Sequence, residues 1–203
     1  MTGDLFRLDL NKYFSAINGA EEWTGFFEDG CFDKLFSIAD PSLEFNITIH
    51  PTGNYAYLNN INRHCIYRAD YDWENKTFTT PYVVAGEYNH PGYADGATGE
   101  SLMNEPYQGV FVKNPEYAGK ADEYDYYFTD KVNFCVRALT PDGNVGTLAG
   151  RIPNSDGNLW GTEDGDGNVA RFRDITGLAY DERTETFYVL DNQNLRIRTI
   201  RKK

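Results

Sequence analysis

Apolar and polar residues alternate in short runs along most of this chain, which is the period of half-buried β-strands. The clearest runs are 177–180, 186–190 and 195–200 near the C-terminus. The charged turn 181–184 and the polar stretch 191–194 separate them. Because a three-stranded meander cannot bury its apolar face alone, other strands must cover it.

The same order of strands is found twice earlier in the chain. First strands are predicted at 45–49, 108–112 and 176–180, and second strands at 55–60, 126–130 and 187–191. The aligned residues are Asn46, Gly109 and Gly177 in the first strands, and Asn60, Asp130 and Asp191 at the ends of the second strands. Their spacing is 14 residues in the outer copies and 21 in the middle copy, which carries a polar insertion around 113–123. A register that survives an insertion in one loop indicates a repeated unit.

Third strands follow around Ile66, Val136 and Ile197. Fourth strands are predicted at 80–85 and 145–149, and each ends in Ala-Gly. Asp-Gly linkers come next, at 93–96 and 164–168. Near the N-terminus, 28–30 resembles the same linker and 5–9 resembles a third strand. We expect strands at 4–10 and 12–17, and a turn or two of helix near 18–26.

The segments 188–200 (YVLDNQNLRIRTI) and 143–150 (GNVGTLAG) resemble the NHL repeat, which is one blade of a β-propeller. The resemblance is close for 108–200 and weaker for 43–96, where Asn60 and Arg63 replace the Asp and the Asn of the pattern. The chain is similar to the C-terminal half of the IPT/TIG–NHL repeat proteins of gut Bacteroidetes. That similarity implies a cell-surface or periplasmic location.

The resemblance implies an all-β, NHL-type β-propeller with about three four-stranded blades, half of a six-bladed ring. We assign residues 1–203 to a single partial propeller: a partial blade and linker at 1–42, blades at 43–105 and 106–174, and a last blade at 175–203 that lacks its outer strand. Half a ring leaves sheet edges exposed. Either the chain is the C-terminal part of a longer protein, or two copies complete one ring, with each N-terminal strand filling the partner's last blade.

Composition narrows the possible partners. The chain has 203 residues, 31 acidic against 19 basic side chains and a formal charge of −12, so a phosphate backbone would be repelled and nucleic acid is not expected as a partner. No apolar run approaches the roughly 18 residues of a membrane span. The three cysteines, Cys31, Cys65 and Cys135, lack metal-site spacing and are expected to be buried apolar residues.

Metal and catalytic motifs are weak. Asp164, Asp166 and Asn168 alternate like the start of an EF-hand calcium loop, but the twelfth position is Ile175 instead of Glu, so a tight turn is favoured and no cofactor is expected. The histidines, at 50, 64 and 90, show no metal-binding spacing, and His64 is expected to be packed. The acidic pair 122–123 is expected to be solvated. No catalytic residue is assigned.

Aromatic residues in the linkers and the insertion are the strongest ligand signal. They are Trp23, Trp73, Tyr88, Tyr93, Tyr107, Tyr117 and Trp160. Aromatic faces beside polar side chains suit sugar rings. The predicted ligand-binding residues are Tyr88, His90, Tyr93 and Trp160, because their two linkers follow successive fourth strands. Alternatively, these rings only pin long loops.

The sequence favours a non-enzymatic binding or scaffold propeller that recognises glycan or a partner protein. The NHL resemblance also implies an alternative, because propellers of this kind include zinc lyases and metal-dependent lactonases with a metal in the central channel. A third possibility is an assembly segment with no ligand of its own, whose partner is a second copy or the missing half of the ring.

Overall fold

The computed structural model describes residues 4–19, 30–37 and 42–201. These residues form an all-β fold with four antiparallel sheets, one α-helix and two short 3₁₀ helices. The strands and the helix in chain order are β1 Asp4–Leu8, α1 Leu10–Gly19, β2 Phe32–Ser37, β3 Phe45–Ile49, β4 Tyr55–Asn60, β5 Cys65–Asp72, β6 Thr77–Phe78, β7 Tyr82–Gly86, β8 Pro106–Lys113, β9 Tyr124–Asp130, β10 Cys135–Leu139, β11 Val145–Gly150, β12 Ile175–Asp181, β13 Thr186–Asp191 and β14 Arg196–Arg201.

Each sheet is built from strands that are consecutive in the chain. Sheet 1 pairs β1 with β2, and sheet 2 has the order β3-β4-β5 with both β6 and β7 on β5. Sheet 3 has the order β8-β9-β10-β11, and sheet 4 has the order β12-β13-β14. The strands predicted for the three copies are therefore present, and the last sheet has three strands.

A register shift that occurs in three sheets shows which strands of the repeated unit form sheet 1. In sheets 2 and 3 the third and fourth strands pair with a register shift after Ile66 and after Val136. The pair β1–β2 has the same shift after Leu5, so β2 corresponds to a fourth strand. Gly30 precedes β2, whereas the linkers at 93–96 and 164–168 follow fourth strands. The prediction that 28–30 is an equivalent linker was therefore wrong, although residues 28 and 29 themselves lie outside the described ranges.

The predicted strand at 12–17 is also wrong, because α1 occupies these residues. Asp9 caps the helix: its Oδ1 accepts hydrogen bonds from the backbone N–H groups of Asn11 at 3.0 Å and Lys12 at 3.1 Å. The predicted helix at 18–26 falls almost entirely outside the described residues. The strand predicted at 4–10 is β1, which ends at Leu8.

One aligned position in the middle copy needs correction. Asn46 pairs with Asn59 and Gly177 pairs with Leu190, the residues that precede the ends of the second strands. Gly109 instead pairs with Phe128, one residue further from the end of its second strand, although β8 and β12 both carry a one-residue bulge at this point. The structural equivalent of Gly177 is therefore the residue before Gly109.

The apolar core lies between successive sheets. One cluster joins sheets 2 and 3 and another joins sheets 3 and 4, each with side chains from both sheets. Ile66 of sheet 2 and Val136 of sheet 3 hold equivalent positions and are fully buried by the unit that follows. The equivalent Ile197 of sheet 4 is 71% exposed, and Leu190 beside it is 42% exposed. We call this surface of β13 and β14 the open face of sheet 4.

Candidate functional site

The four predicted ligand-binding residues lie on the linkers, and their side chains contact different partners. Tyr88 follows β7, is 48% exposed and accepts a hydrogen bond at its hydroxyl from Arg63 Nε at 3.2 Å. His90 Nδ1 lies 2.9 Å from Glu87 Oε2, and both side chains are exposed. Because Arg63 lies between β4 and β5, Tyr88 sits beside the connection of these two strands.

Tyr93 and Trp160 are each covered by an arginine. The Tyr93 ring lies 4.1 Å from the Arg151 guanidinium, and its hydroxyl is 2.8 Å from Thr147 Oγ1 on β11. The Trp160 ring lies 4.4 Å from the Arg173 guanidinium. Both rings remain more than one third exposed, which leaves a surface for stacking. These contacts also support the alternative in which the rings pin the linkers. Trp23 lies outside the described residues.

A buried arginine anchors each linker. Arg137 Nη1 donates to Asp130 at 2.9 Å, and its Nη2 donates to Asp95 of the linker at 2.7 Å. It also donates to the carbonyl oxygens of Ala94 and Leu102, both at 2.6 Å. The linker that carries Tyr93 is thus fixed to the interior of sheet 3 by a charge-assisted network.

Sheet 4 repeats this arrangement. Arg198 donates to Asp191 at 3.1 Å, to the Glu163 carbonyl at 2.8 Å and to the Asp164 carboxylate. Asn194 donates to Asp191 at 2.9 Å, as Asn133 does to Asp130 at 2.8 Å. A guanidinium therefore contacts the carboxylate that begins the calcium-like motif. The described residues contain no group of three or more His, Cys, Asp or Glu side chains that could hold a metal ion.

The structure shows a polar cluster between sheets 2 and 3 that the sequence did not predict. His50 is 3% exposed and stacks on Tyr55, with ring centres 4.3 Å apart. Its Nε2 lies 3.3 Å from Asp122 Oδ1, and the Tyr55 hydroxyl donates to Asp122 Oδ2 at 2.6 Å. The Thr52 amide donates to Nδ1 at 3.3 Å, which favours the tautomer with its proton on Nε2. Burial lowers the pKa of His50.

From the sequence we expect the acidic pair 122–123 to be solvated, but both side chains have partners in the protein. Asp122 closes this cluster, and Glu123 forms a 2.7 Å ion pair with Lys113 at the start of the insertion. The segment carries few apolar residues, so its polarity suggested a solvent-facing loop. Its partners are distant in the chain and could not be inferred from spacing alone.

The cysteines and the remaining histidine are packed. Cys31, Cys65 and Cys135 are buried, and burial raises the pKa of Cys65 to about 12. Such a thiol is not an activated nucleophile. His64 has a backbone φ of 59° and accepts a hydrogen bond at Nδ1 from the Glu105 amide at 3.2 Å. Within the described ranges, no helix is long and apolar enough to cross a membrane.

Two cavities open beside the insertion, where β8 and β12 end. The first has a volume of about 470 Å³ and is lined by Tyr124 and Phe111, and the second has a volume of about 330 Å³ and is lined by Asp125. Lys113 and Tyr180 line both. A third cavity, of about 850 Å³, follows the edge of β14 and the 164–167 linker. These volumes fall in the range of roughly 300–1,000 Å³ that is usual for small-molecule sites.

No family model and no curated protein matches this chain. Among solved structures, a Bacteroides thetaiotaomicron protein described as a candidate phosphatase is 51% identical, over 100% of this chain and 44% of its own, with a TM-score of 0.93. An auxiliary nutrient binding protein from the same organism is 43% identical, over 98% of this chain and 42% of its own, with a TM-score of 0.83. An auxiliary nutrient binding protein from Bacteroides ovatus is 40% identical, over 84% of this chain and 40% of its own, with a TM-score of 0.79. This chain therefore spans less than half the length of these Bacteroides proteins, to which it is similar in sequence and in its β-sheet fold.

Proposed function

We propose that this chain is part of a ligand-binding protein, without catalysis of its own, and that it recognises glycan or a partner protein. The observation that carries this proposal is the similarity to two auxiliary nutrient binding proteins, at 43% and 40% identity. Identity at this level over most of the chain supports a related role as well as a related fold.

The linker aromatics supply rings on which a sugar can stack. Tyr88, Tyr93 and Trp160 each present a partly exposed ring, and an arginine guanidinium packs against each of these rings. A ring that is already held in place loses little conformational entropy when a sugar stacks on it. His90 and its partner Glu87 add hydrogen-bonding groups beside Tyr88.

The architecture best suited to this role is a six-bladed NHL-type propeller of which sheets 2, 3 and 4 form successive blades. Its support is the repeated packing of one sheet face on the next, with Ile66 and Val136 buried in equivalent places. The open face of sheet 4 marks where a further blade would pack. We propose that a second copy, or the missing half of the ring in a longer protein, covers it.

The test is binding of the purified chain to an immobilised oligosaccharide array, with the variants Tyr93→Ala and Trp160→Ala. We expect binding that each substitution weakens roughly tenfold, since it removes a stacking contact of about 0.5–1.5 kcal/mol together with the apolar area that the ring buries. Tyr82→Ala is the matched control, because Tyr82 is similarly exposed but lies on strand β7 instead of a linker. Equal losses in all three variants, or no oligosaccharide bound, would contradict glycan recognition by the linkers.

A catalytic alternative has one specific observation in its favour, the 51% identity to a protein described as a candidate phosphatase. A propeller lyase or lactone hydrolase with a metal in the central channel belongs to the same class of alternative. Metal analysis of the purified chain, together with assays on a phosphate monoester and a lactone, separates these from binding. Stoichiometric metal with turnover would replace the binding proposal.

A further inference from the structure

The insertion that lengthens the first connection of sheet 3 is an ordered structure. Its 3₁₀ helix, Pro115–Tyr117, is capped by Asn114, whose Oδ1 accepts from the Glu116 amide at 3.0 Å. Glu123 closes its base by accepting from the Gly119 amide at 2.6 Å and from Lys113 at 2.7 Å. Insertions in one repeat of an array often build a binding surface. Here the insertion forms one wall of the 330 Å³ cavity.

Aromatic rings form another part of the wall of this cavity. Tyr127 comes from sheet 3, and Tyr180 and Phe187 come from sheet 4. The Phe187 ring centre lies 4.7 Å from that of Tyr127 and 4.6 Å from that of Tyr180. Because the rings support one another, they offer a preformed aromatic surface to a ligand.

A buried carboxylate lies at the cavity wall with one oxygen unpartnered. Asp125 is 6% exposed, and its Oδ2 accepts from Asn114 Nδ2 at 2.9 Å and from the Tyr127 hydroxyl at 3.4 Å. Its Oδ1 has no hydrogen-bond partner in the described part of the chain. A buried acceptor without a partner is costly, and burial accordingly raises the pKa of Asp125. A donor brought by a ligand would relieve this cost.

The charges around the cavity favour a cation. Three carboxylates line it, those of Glu116, Asp125 and Glu185, against the two basic side chains of Lys113 and Arg201. The Lys113 ammonium is already paired with Glu123, which is not itself a lining residue. The local excess of negative charge therefore attracts positive ligands and repels anions.

We propose that this cavity binds a small primary amine, with its ammonium group at the Asp125 carboxylate and its apolar or sugar-ring face on Tyr127 and Tyr180. An ammonium donates up to three hydrogen bonds and is attracted by aromatic faces, so it satisfies both walls at once. An amino sugar carries both features. The proposal deepens the binding role proposed above by adding a second site and its ligand class, and it does not depend on the linker aromatics.

The test is calorimetric titration of the full chain with glucosamine, with glucose as the neutral probe of the same shape. We expect binding of glucosamine and at least tenfold weaker binding of glucose. Asp125→Asn should weaken glucosamine binding by roughly tenfold or more, because it removes a charge-assisted hydrogen bond but can keep the contact with Asn114. Asp156→Asn, an exposed change in the 151–160 stretch, is the matched control and should change nothing.

Glu185→Gln provides a second variant that does not depend on a buried side chain, since Glu185 is exposed. It should weaken glucosamine binding by roughly threefold through lost long-range attraction. Equal affinity for glucose and glucosamine, no measurable glucosamine binding, or unchanged binding in Asp125→Asn would each overturn the amine site. Failure here with a positive oligosaccharide array would leave the linker proposal intact, whereas the reverse pattern would remove only the linker proposal.

Discussion

At the scale of single residues, sheets 3 and 4 each bury an Asp–Arg pair that sheet 2 replaces with neutral side chains. Asp130 and Arg137 are fully buried together, whereas the equivalent positions in sheet 2 hold Asn60 and Tyr67. A buried charge without its partner costs several kcal/mol, so the pair is best replaced as a unit. Burial raises the pKa of Tyr67 to about 12, which keeps this substitute neutral. The Asp–Arg pair therefore anchors a linker in each of these sheets.

His50 makes stability depend on pH in a defined direction. Burial lowers the pKa of His50 in the folded chain, and Asp122 offsets part of this effect. Folding therefore favours the neutral form of the His50 side chain. The unfolded state takes up the proton first as the pH falls below about 6.5, and folding stability then decreases. We expect the free energy of unfolding to fall from pH 7 to pH 5, and His50→Gln to remove part of that slope.

Urea unfolding at several pH values measures this slope. His90→Gln is the matched control, because His90 is exposed and pairs only with Glu87 in the contacts described above. His64, whose pKa is also lowered by burial, should account for much of the remaining slope. A slope in His50→Gln that equals that of the unmodified chain would show that the cluster around Asp122 does not titrate in this range.

At the scale of elements, the sequence predicted strands well and long-range contacts poorly. Alternation located the strands of sheets 3 and 4 because each strand buries one face against a neighbouring sheet. Helix α1 was missed although Leu10, Tyr13 and Phe14 have helical spacing and Asp9 offers a cap, because the preceding strand-like alternation was extended too far. The contact of His50 with Asp122 could not be predicted, since it depends on how two sheets stack.

The edge of β14 is expected to accept a fourth strand like β11. In sheet 3, β11 pairs with β10 and also holds the linker: the Thr147 hydroxyl donates to Asp95 at 3.1 Å and the Gly96 amide to the Val145 carbonyl at 3.0 Å. In sheet 4 the equivalent linker carboxylate, Asp164, is 83% exposed. Extending the chain after Lys203 with the sequence of 143–150, GNVGTLAG, should complete the sheet.

We expect this extension to raise the free energy of unfolding by about 1–3 kcal/mol. It pairs the open edge of β14 and places an alanine beside Ile197, as Ala149 lies beside Val136 in sheet 3. Chemical denaturation of the two proteins measures the difference.

The control extension GNVPTLAG has proline at the equivalent of Gly146. This position lies between Val145 and Thr147, whose amides face the linker, so the control removes a hydrogen-bond donor that faces the neighbouring strand. If both extensions have the same effect, the gain does not come from strand pairing, and the prediction that the edge of β14 accepts a fourth strand is wrong.

At the scale of the whole molecule, the two ends of the sheet stack differ in how they are covered. Sheet 1 covers part of sheet 2, where Leu5, Leu35 and Phe36 pack beside Leu58. Sheet 4 has no such cover among the described residues. Its open face presents Tyr188, Leu190 and Ile197 in positions that are buried or partly buried between sheets elsewhere in the stack.

Exposed apolar faces and open strand edges both promote association. We therefore expect the purified chain, of 23.1 kDa, to form a dimer in which the open face of sheet 4 is covered by the partner's first sheets. Light scattering after gel filtration measures the mass.

Ile197→Asp should return the chain to a monomer, because a buried unpaired carboxylate costs more than the interface gains there. Ile49→Asp is the matched variant on the opposite end of the stack, since Ile49 of β3 is 51% exposed and should lie in the same interface. A folded monomer of the unmodified chain would exclude the two-chain ring. It would favour the alternative in which the remainder of a longer polypeptide covers sheet 4, in line with the 44% of the candidate phosphatase that this chain spans.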